Sequence, residues 1–145
     1  MTLNDRMIGW FCGDAEAADF AARLWDAIQR WDDLEDEGQT GGMNALLSFL
    51  AFGKEYHPYF ARNAHLLRPA MLGAYLSWRA ANEMERTGDG EDVAKAWMLR
   101  AGFYSVLHMM AWIAGGDDHA ATVGPLIWRS YGETLDAFRE EMAHA

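Results

Sequence analysis

Three glycine clusters, Gly38 to Gly42, Gly88 to Gly90 and Gly115-Gly116, divide the chain into stretches whose apolar residues recur at helical spacing. No stretch shows the sustained alternation that a half-buried strand requires. Only 3 prolines occur, so little interrupts a helical ladder. A chain of 145 residues is the length of one domain with a sizeable core. The expectation is an all-α, single-domain bundle of five to six helices covering residues 1–145.

Within that frame the first helix starts at Asp14, a capping residue, and runs to about Glu35 along the stripe Phe20, Leu24, Ile28, Trp31. A loop over Gly38 to Gly42 leads to a short helix over Asn44 to Lys54. Pro58 opens a single turn, and a long helix covers Leu66 to Arg86 with Pro69 in its first turn. After the turn Thr87-Gly88-Asp89-Gly90, the stretch from Glu91 to Ala114 has almost no polar face and is expected as the central buried helix. Asp117-Asp118 then caps a last helix reaching Met142, with Ile127, Tyr131, Leu135, Phe138 and Met142 as its stripe.

Charge and composition narrow the function. A net charge of −10 lacks the basic footprint that a nucleic-acid backbone needs, and it suits a cation binder or a partner with a basic face. The 7 Trp, 7 Phe, 5 Tyr and 9 Met either fill a small helical core or serve a pocket or subunit interface, such as that of a homodimer. Cys12 is the single cysteine, so an intrachain disulfide is impossible. The start Met1-Thr2-Leu3-Asn4-Asp5-Arg6 does not read as a secretory signal, and no run reaches 18 uninterrupted apolar residues. The expectation is a cytoplasmic protein without a membrane span.

The densest chemistry lies at Asp32-Asp33-Leu34-Glu35-Asp36-Glu37. On a helix, Asp32 and Asp36 share a face about 6 Å apart, a spacing at which two carboxylates can hold one Mg²⁺ whose waters a phosphate replaces. Asp33 adds a third carboxylate. On the later helix, Asn82 and Glu85 continue the stripe Leu67, Met71, Ala74, Tyr75, Trp78, so both are expected to point inward and to need a partner. If they met Asp32 and Asp36, an all-oxygen metal site would form between two helices. If not, they sit at an open helix end.

Arg100, Tyr104 and His108 follow at i, i+4, i+8 in apolar sequence. Arg100 there needs an acid or an anion: it pairs with Glu85 or an acidic-run Asp, or it meets a phosphate together with Tyr104. Arg79 could serve the same anion or extend past the stripe to water. Trp25, Tyr75 and Trp78 could wall a pocket, and His108 is either a satisfied core histidine or a pocket residue. No G-x-x-x-x-G-K-[ST], G-x-S-x-G or C-x-x-C string occurs.

The string Arg30-Trp31-Asp32-Asp33-Leu34-Glu35-Asp36-Glu37-Gly38 resembles the first aspartate-rich motif of squalene and phytoene synthases, which are all-α class I isoprenoid synthases. The resemblance implies Mg²⁺ held by Asp32, Asp33 and Asp36, with Asn82 and Glu85 in place of a second metal motif and a prenyl diphosphate as ligand. It covers under a tenth of the chain, which is about half the length of those synthases and has no second aspartate-rich helix. Asp32-x-x-Glu35 and Asn82-x-x-Glu85 partly echo all-α nucleotide pyrophosphohydrolases of the MazG type. Over its whole length, through Trp31-Asp32-Asp33-Leu34, His57-Pro58-Tyr59-Phe60, Ala80-Ala81-Asn82-Glu83-Met84-Glu85 and Trp97-Met98-Leu99-Arg100, the chain is similar to small helical proteins of tailed bacteriophages. That likeness implies an accessory protein of a phage or its bacterial host. Two expectations follow: a Mg²⁺-dependent protein binding or converting a small-molecule diphosphate, and a non-enzymatic acidic helical protein engaging a protein partner.

Overall fold

A computed structural model describes residues 2–36 and 57–144, with the side chains of residues 29–36 outside the description. The described residues are all-helical, without strands, and form six helices: α1 (Leu3–Trp10), α2 (Ala15–Asp36), α3 (Pro58–Thr87), α4 (Gly90–Arg100), α5 (Tyr104–Arg129) and α6 (Leu135–Ala143). The Gly38–Gly42 loop and the Asn44–Lys54 helix lie outside the described residues. The chain divides into two compact units, Met1–Leu67 and Arg68–Ala145, with the division falling inside α3.

In the first unit, α1 is a helix that periodicity does not reveal but capping does. The Thr2 hydroxyl accepts from the Asp5 amide at 3.2 Å while the Asp5 carboxylate accepts from the Thr2 amide at 2.9 Å, a reciprocal capping box. The helix ends where Cys12 and Gly13 turn left-handed at φ 55° and 83° and the Gly13 amide reaches back to the Ile8 carbonyl at 2.8 Å. Asp14 then caps α2 as expected, one carboxylate oxygen accepting from the Glu16 and Ala17 amides at 3.0 Å each. Ala17, Phe20, Ala21, Leu24 and Ala27 are buried, so the helical stripe is the inward face. Phe20 packs near His57, Tyr59 and Phe60, with ring centroids 5.5 to 5.9 Å apart.

Helix α3 begins earlier than expected and runs on past the single turn at Pro58. His57 is its N-cap: Nδ1 accepts from the Tyr59 amide at 3.2 Å, and Pro58 takes the first helical position, where its missing N–H costs nothing. Asn63 breaks the regular geometry at φ −117°, ψ 16°, and its side-chain amide donates to the Tyr59 carbonyl one turn back at 3.0 Å. Pro69 therefore lies inside the helix and not in its first turn. In the second unit Met71, Ala74, Tyr75, Trp78 and Ala81 continue the buried face.

The single apolar helix expected over Glu91–Ala114 is two helices. Asp89 caps α4 at the Asp92 amide (2.8 Å), and the ladder then tightens into three-residue bonds through Ala101, Gly102 and Phe103 before α5 begins. Gly102 permits this because the chain passes close to α3 there. A Cβ on it would sit 3.1 Å from the Leu99 carbonyl and 3.3 Å from the Ala74 carbonyl. α5 runs through Gly115 to Arg129, with Gly116 at φ 80°, ψ −169° kinking it. The last helix is likewise split. Ser130 closes α5 with its amide on the Ile127 carbonyl at 3.0 Å, residues 131–133 are not helical, and Thr134 caps α6 by accepting from the Ala137 amide at 3.1 Å. Phe138 of α6 packs with Ala81 and Ala96, flanked by Met84, Trp97, Leu99 and Met142. Burying that one phenyl ring is worth about 1.5–3 kcal/mol.

Candidate functional site

The expected ligand residues fall in different parts of the description. The α2 backbone is helical through Asp36, which places Asp32 and Asp36 one turn apart; the side chains of Asp32, Asp33 and Asp36 lie outside the described ones. Asn82 and Glu85 belong to the second unit and are half-buried near the C-terminal end of α3, with Glu85 in its last turn. Both are turned toward Arg100, in the last turn of α4. Arg100 Nε lies 3.1 Å from Glu85 Oε1, and its Nη1 donates to Asn82 Oδ1 at 3.2 Å. The Arg100 and Glu85 side chains keep only 25% and 17% of their exposure, so each needs the other's charge.

Around this pair stands a set of aromatic rings. Tyr131 lies 5.9 Å from Trp97 and 5.6 Å from Tyr104, and Tyr104 lies 6.2 Å from Trp128. The helix break removes the expected i, i+4, i+8 line from Arg100, but Tyr104 and His108 stay one turn apart on α5 and are joined through Trp128. The Trp128 indole N–H donates to His108 Nδ1 at 3.3 Å. Indole nitrogen only donates, so Nδ1 is the acceptor and Nε2 carries the ring proton, which it gives to the Ala120 carbonyl at 2.9 Å. His108 is a satisfied histidine of the interior. Gly124 makes room for it, since a Cβ there would lie 2.7 Å from Nε2.

The Tyr104 hydroxyl donates to the Ser130 carbonyl at 3.3 Å, and burial pushes its ionisation up to about 12. Arg79 rests on Tyr75, with Nη1 donating to the phenol oxygen at 3.1 Å and the guanidinium 6.0 Å from the ring centre. Tyr75 and Trp78 are buried side by side, 6.3 Å apart, while Trp25 is half-buried in the first unit.

Several members of this cluster were not singled out by sequence reasoning. Trp97 donates its indole N–H to the Glu133 carbonyl at 2.9 Å, and the Tyr131 hydroxyl donates to Glu133 Oε2 at 3.3 Å. The Glu133 carboxyl is held above the ordinary glutamate range by burial first and by Glu141 second, against the opposing pull of Tyr131 and Arg100. The signal for this segment was local: Gly132 and a capping Thr134 mark a helix break that the apolar stripe conceals.

The first unit holds a second polar group. His57, its side chain 8% exposed, places Nε2 2.8 Å from Asp19 Oδ2, and Arg23 joins the same carboxylate at 3.0 Å. Arg62 pairs with Glu16. The Tyr59 hydroxyl is buried with no hydrogen-bond partner among the described residues, and burial, with the Asp14 charge adding to it, pushes its ionisation up to about 12. Among the described residues no helix is long and apolar enough to cross a membrane. Comparisons with protein families, with curated proteins and with solved structures found no match to this chain.

Proposed function

We propose that this chain is a non-enzymatic, acidic helical interaction protein that engages a protein partner with a basic face. One observation carries the reading: the described groups the sequence offers to a diphosphate are already joined to one another. Arg100 is taken by Glu85 and Asn82, Tyr104 by the Ser130 carbonyl, and Arg79 by Tyr75. A phosphate at Arg100 would compete for a guanidinium whose charge a mostly buried carboxylate already meets, and taking that partner from Glu85 is unfavourable. The charge of −10 supports a partner of opposite sign, drawn in by long-range attraction that salt weakens.

A second reading is a Mg²⁺-dependent protein acting on a small-molecule diphosphate, through an isoprenoid-synthase-like or nucleotide-pyrophosphohydrolase-like site. The helical backbone through Asp36 favours it, because it keeps Asp32 and Asp36 one turn apart. Asp32, Asp33 and Asp36 would hold the ion, whereas Asn82 and Glu85, the other residues assigned to metal by the resemblance, are engaged by Arg100. Bound there, Mg²⁺ would supply charge neutralisation at the leaving phosphate.

Melting curves with and without Mg²⁺, Mn²⁺ and pyrophosphate separate the two, since a ligand selective for the folded state raises the midpoint by mass action. The interaction reading expects no shift. A shift that disappears in Asp32→Asn combined with Glu85→Gln overturns it in favour of the metal site.

A further inference from the structure

Between Arg68 and Glu83 the outward face of α3 carries Pro69, Leu72, Gly73, Leu76 and Ala80, all of them exposed. Leu72 and Leu76 are 43% and 56% exposed and sit one turn apart. A helix of a soluble bundle ordinarily turns charged residues to water on that side, as α2 does with Asp19 and Arg23, which pair at 3.0 Å. On α3 the only charged residue between Pro69 and Asn82 is Arg79. It is drawn toward the buried Tyr75, whose phenol oxygen accepts from Nη1 at 3.1 Å. Gly73 and Ala80 add no bulk, and a Cβ built on Gly73 would meet nothing within 4 Å, so a second helix can come close there.

The two ends of this face carry opposite charges. Arg68 is exposed at one end, and at the other the exposed Glu83 meets Arg86 at 3.0 Å, a surface pair that can exchange partners with little loss. We propose that the face pairs with its counterpart on a second copy of the chain, the two α3 helices lying antiparallel about a two-fold axis at Leu76. In that register Leu76 meets the partner's Leu76, Leu72 meets the partner's Ala80, and Arg68 reaches the partner's Glu83 at both ends. A parallel pairing would set arginine beside arginine and glutamate beside glutamate, so the charges select the antiparallel one. Covering the leucines takes apolar surface out of water, which supplies the attraction. A single helix face is a small interface, so the dimer dissociates on dilution. The pairing needs no basic partner protein.

Sedimentation equilibrium of the full chain tests the pairing. The wild type is expected to show a weight-average mass above the 16.3 kDa of one chain at about 200 µM and to return to it on dilution. Leu76→Glu, which brings two carboxylates together at the axis, should weaken the dimer at least about tenfold. Its helical ellipticity should stay unchanged, because Leu76 is exposed in the folded chain. Arg68→Glu and Glu83→Arg should each weaken the dimer at least about threefold, and the two together should restore it. A single chain at every concentration, which would leave the face to a different protein, overturns the proposal. So does a dimer that Leu76→Glu leaves intact, or a double charge reversal that binds no more tightly than the single ones.

Discussion

The Arg100 guanidinium and the Glu85 carboxylate, 3.1 Å apart, lock the last turn of α4 against the C-terminal part of α3, and Asn82 completes the contact at 3.2 Å. The pair is shielded enough that breaking it on one side leaves a charge without compensation. Arg100→Met should therefore destabilise the second unit by about 2 kcal/mol, less than a fully buried pair would lose. Glu85→Leu combined with Arg100→Met should return to within about 1 kcal/mol of the wild type. Urea unfolding of the two single variants and the double variant checks this. Strictly additive losses would show that the two groups do not interact.

His57 caps α3 and binds Asp19 with opposite sides of one ring, and two substitutions separate these roles. His57→Ala should cost about 1–2 kcal/mol, and His57→Asn should recover most of it, because asparagine is itself a good N-cap. The Asp19 carboxyl is held below its usual range by the His57 hydrogen bond first and by Arg23 after it. A lowered carboxyl contributes stability above its ordinary value and loses it as pH falls through the lowered one. His57→Asn should accordingly flatten the acid side of the stability profile, by a modest amount, since Asp19 is half exposed. An unchanged acid limb in that variant would contradict the pairing.

Close approach constrains Gly124 and Gly102. At Gly124 a methyl group would meet the His108 ring at 2.7 Å and force it off the Ala120 carbonyl. At Gly102 it would press on the Leu99 and Ala74 carbonyls at 3.1 and 3.3 Å. Either Gly→Ala change should cost about 1–3 kcal/mol by overpacking. In the wild type, ring ¹⁵N shifts should place the His108 proton on Nε2. A proton on Nδ1 would break the Trp128 contact and refute this arrangement.

Alkaline pH should unfold the protein through its phenols. Tyr59 and Tyr104 ionise at about 12 in the fold and near 10 when exposed, and Tyr131 is shifted upward as well. The stability they contribute is complete below about pH 10 and lost between there and about pH 12. Phenolate absorbance should rise together with loss of helical ellipticity. Ionisation of these three near pH 10 while the helices persist would contradict their burial.

The helical class and the starts of α2 and α4 were legible because they depend on neighbours a few residues apart. Asp14 before Phe20 marks the start of α2, and the inward stripe of α3 from Leu67 to Trp78 is found buried. What misled was apolar periodicity carried across short breaks. The stretch from Glu91 to Ala114 reads as one helix because Met98, Leu99, Ala101, Phe103 and Val106 keep the run apolar across Gly102, although the turn there answers to the Ala74 carbonyl on another helix. Tyr131 falls on the stripe of an expected helix yet belongs to the link between α5 and α6, because Gly132 and Thr134 favour a stop and restart. Helix α1 escaped notice because its evidence is a capping box and not a stripe.

For the site, sequence alone determined which residues would need partners: a guanidinium in an apolar run, and a carboxylate with a carboxamide on an inward stripe, cannot leave water uncompensated. Which partners they find was decided only by tertiary structure. Arg100, Glu85 and Asn82 come together because α3 and α4 pack against each other, and the Trp97 indole of α4 reaches the Glu133 carbonyl because the chain leaves α5 before Tyr131 and returns through α6. Burial demands compensation wherever a charge sits, but the residue that supplies it is chosen by the packing of distant segments.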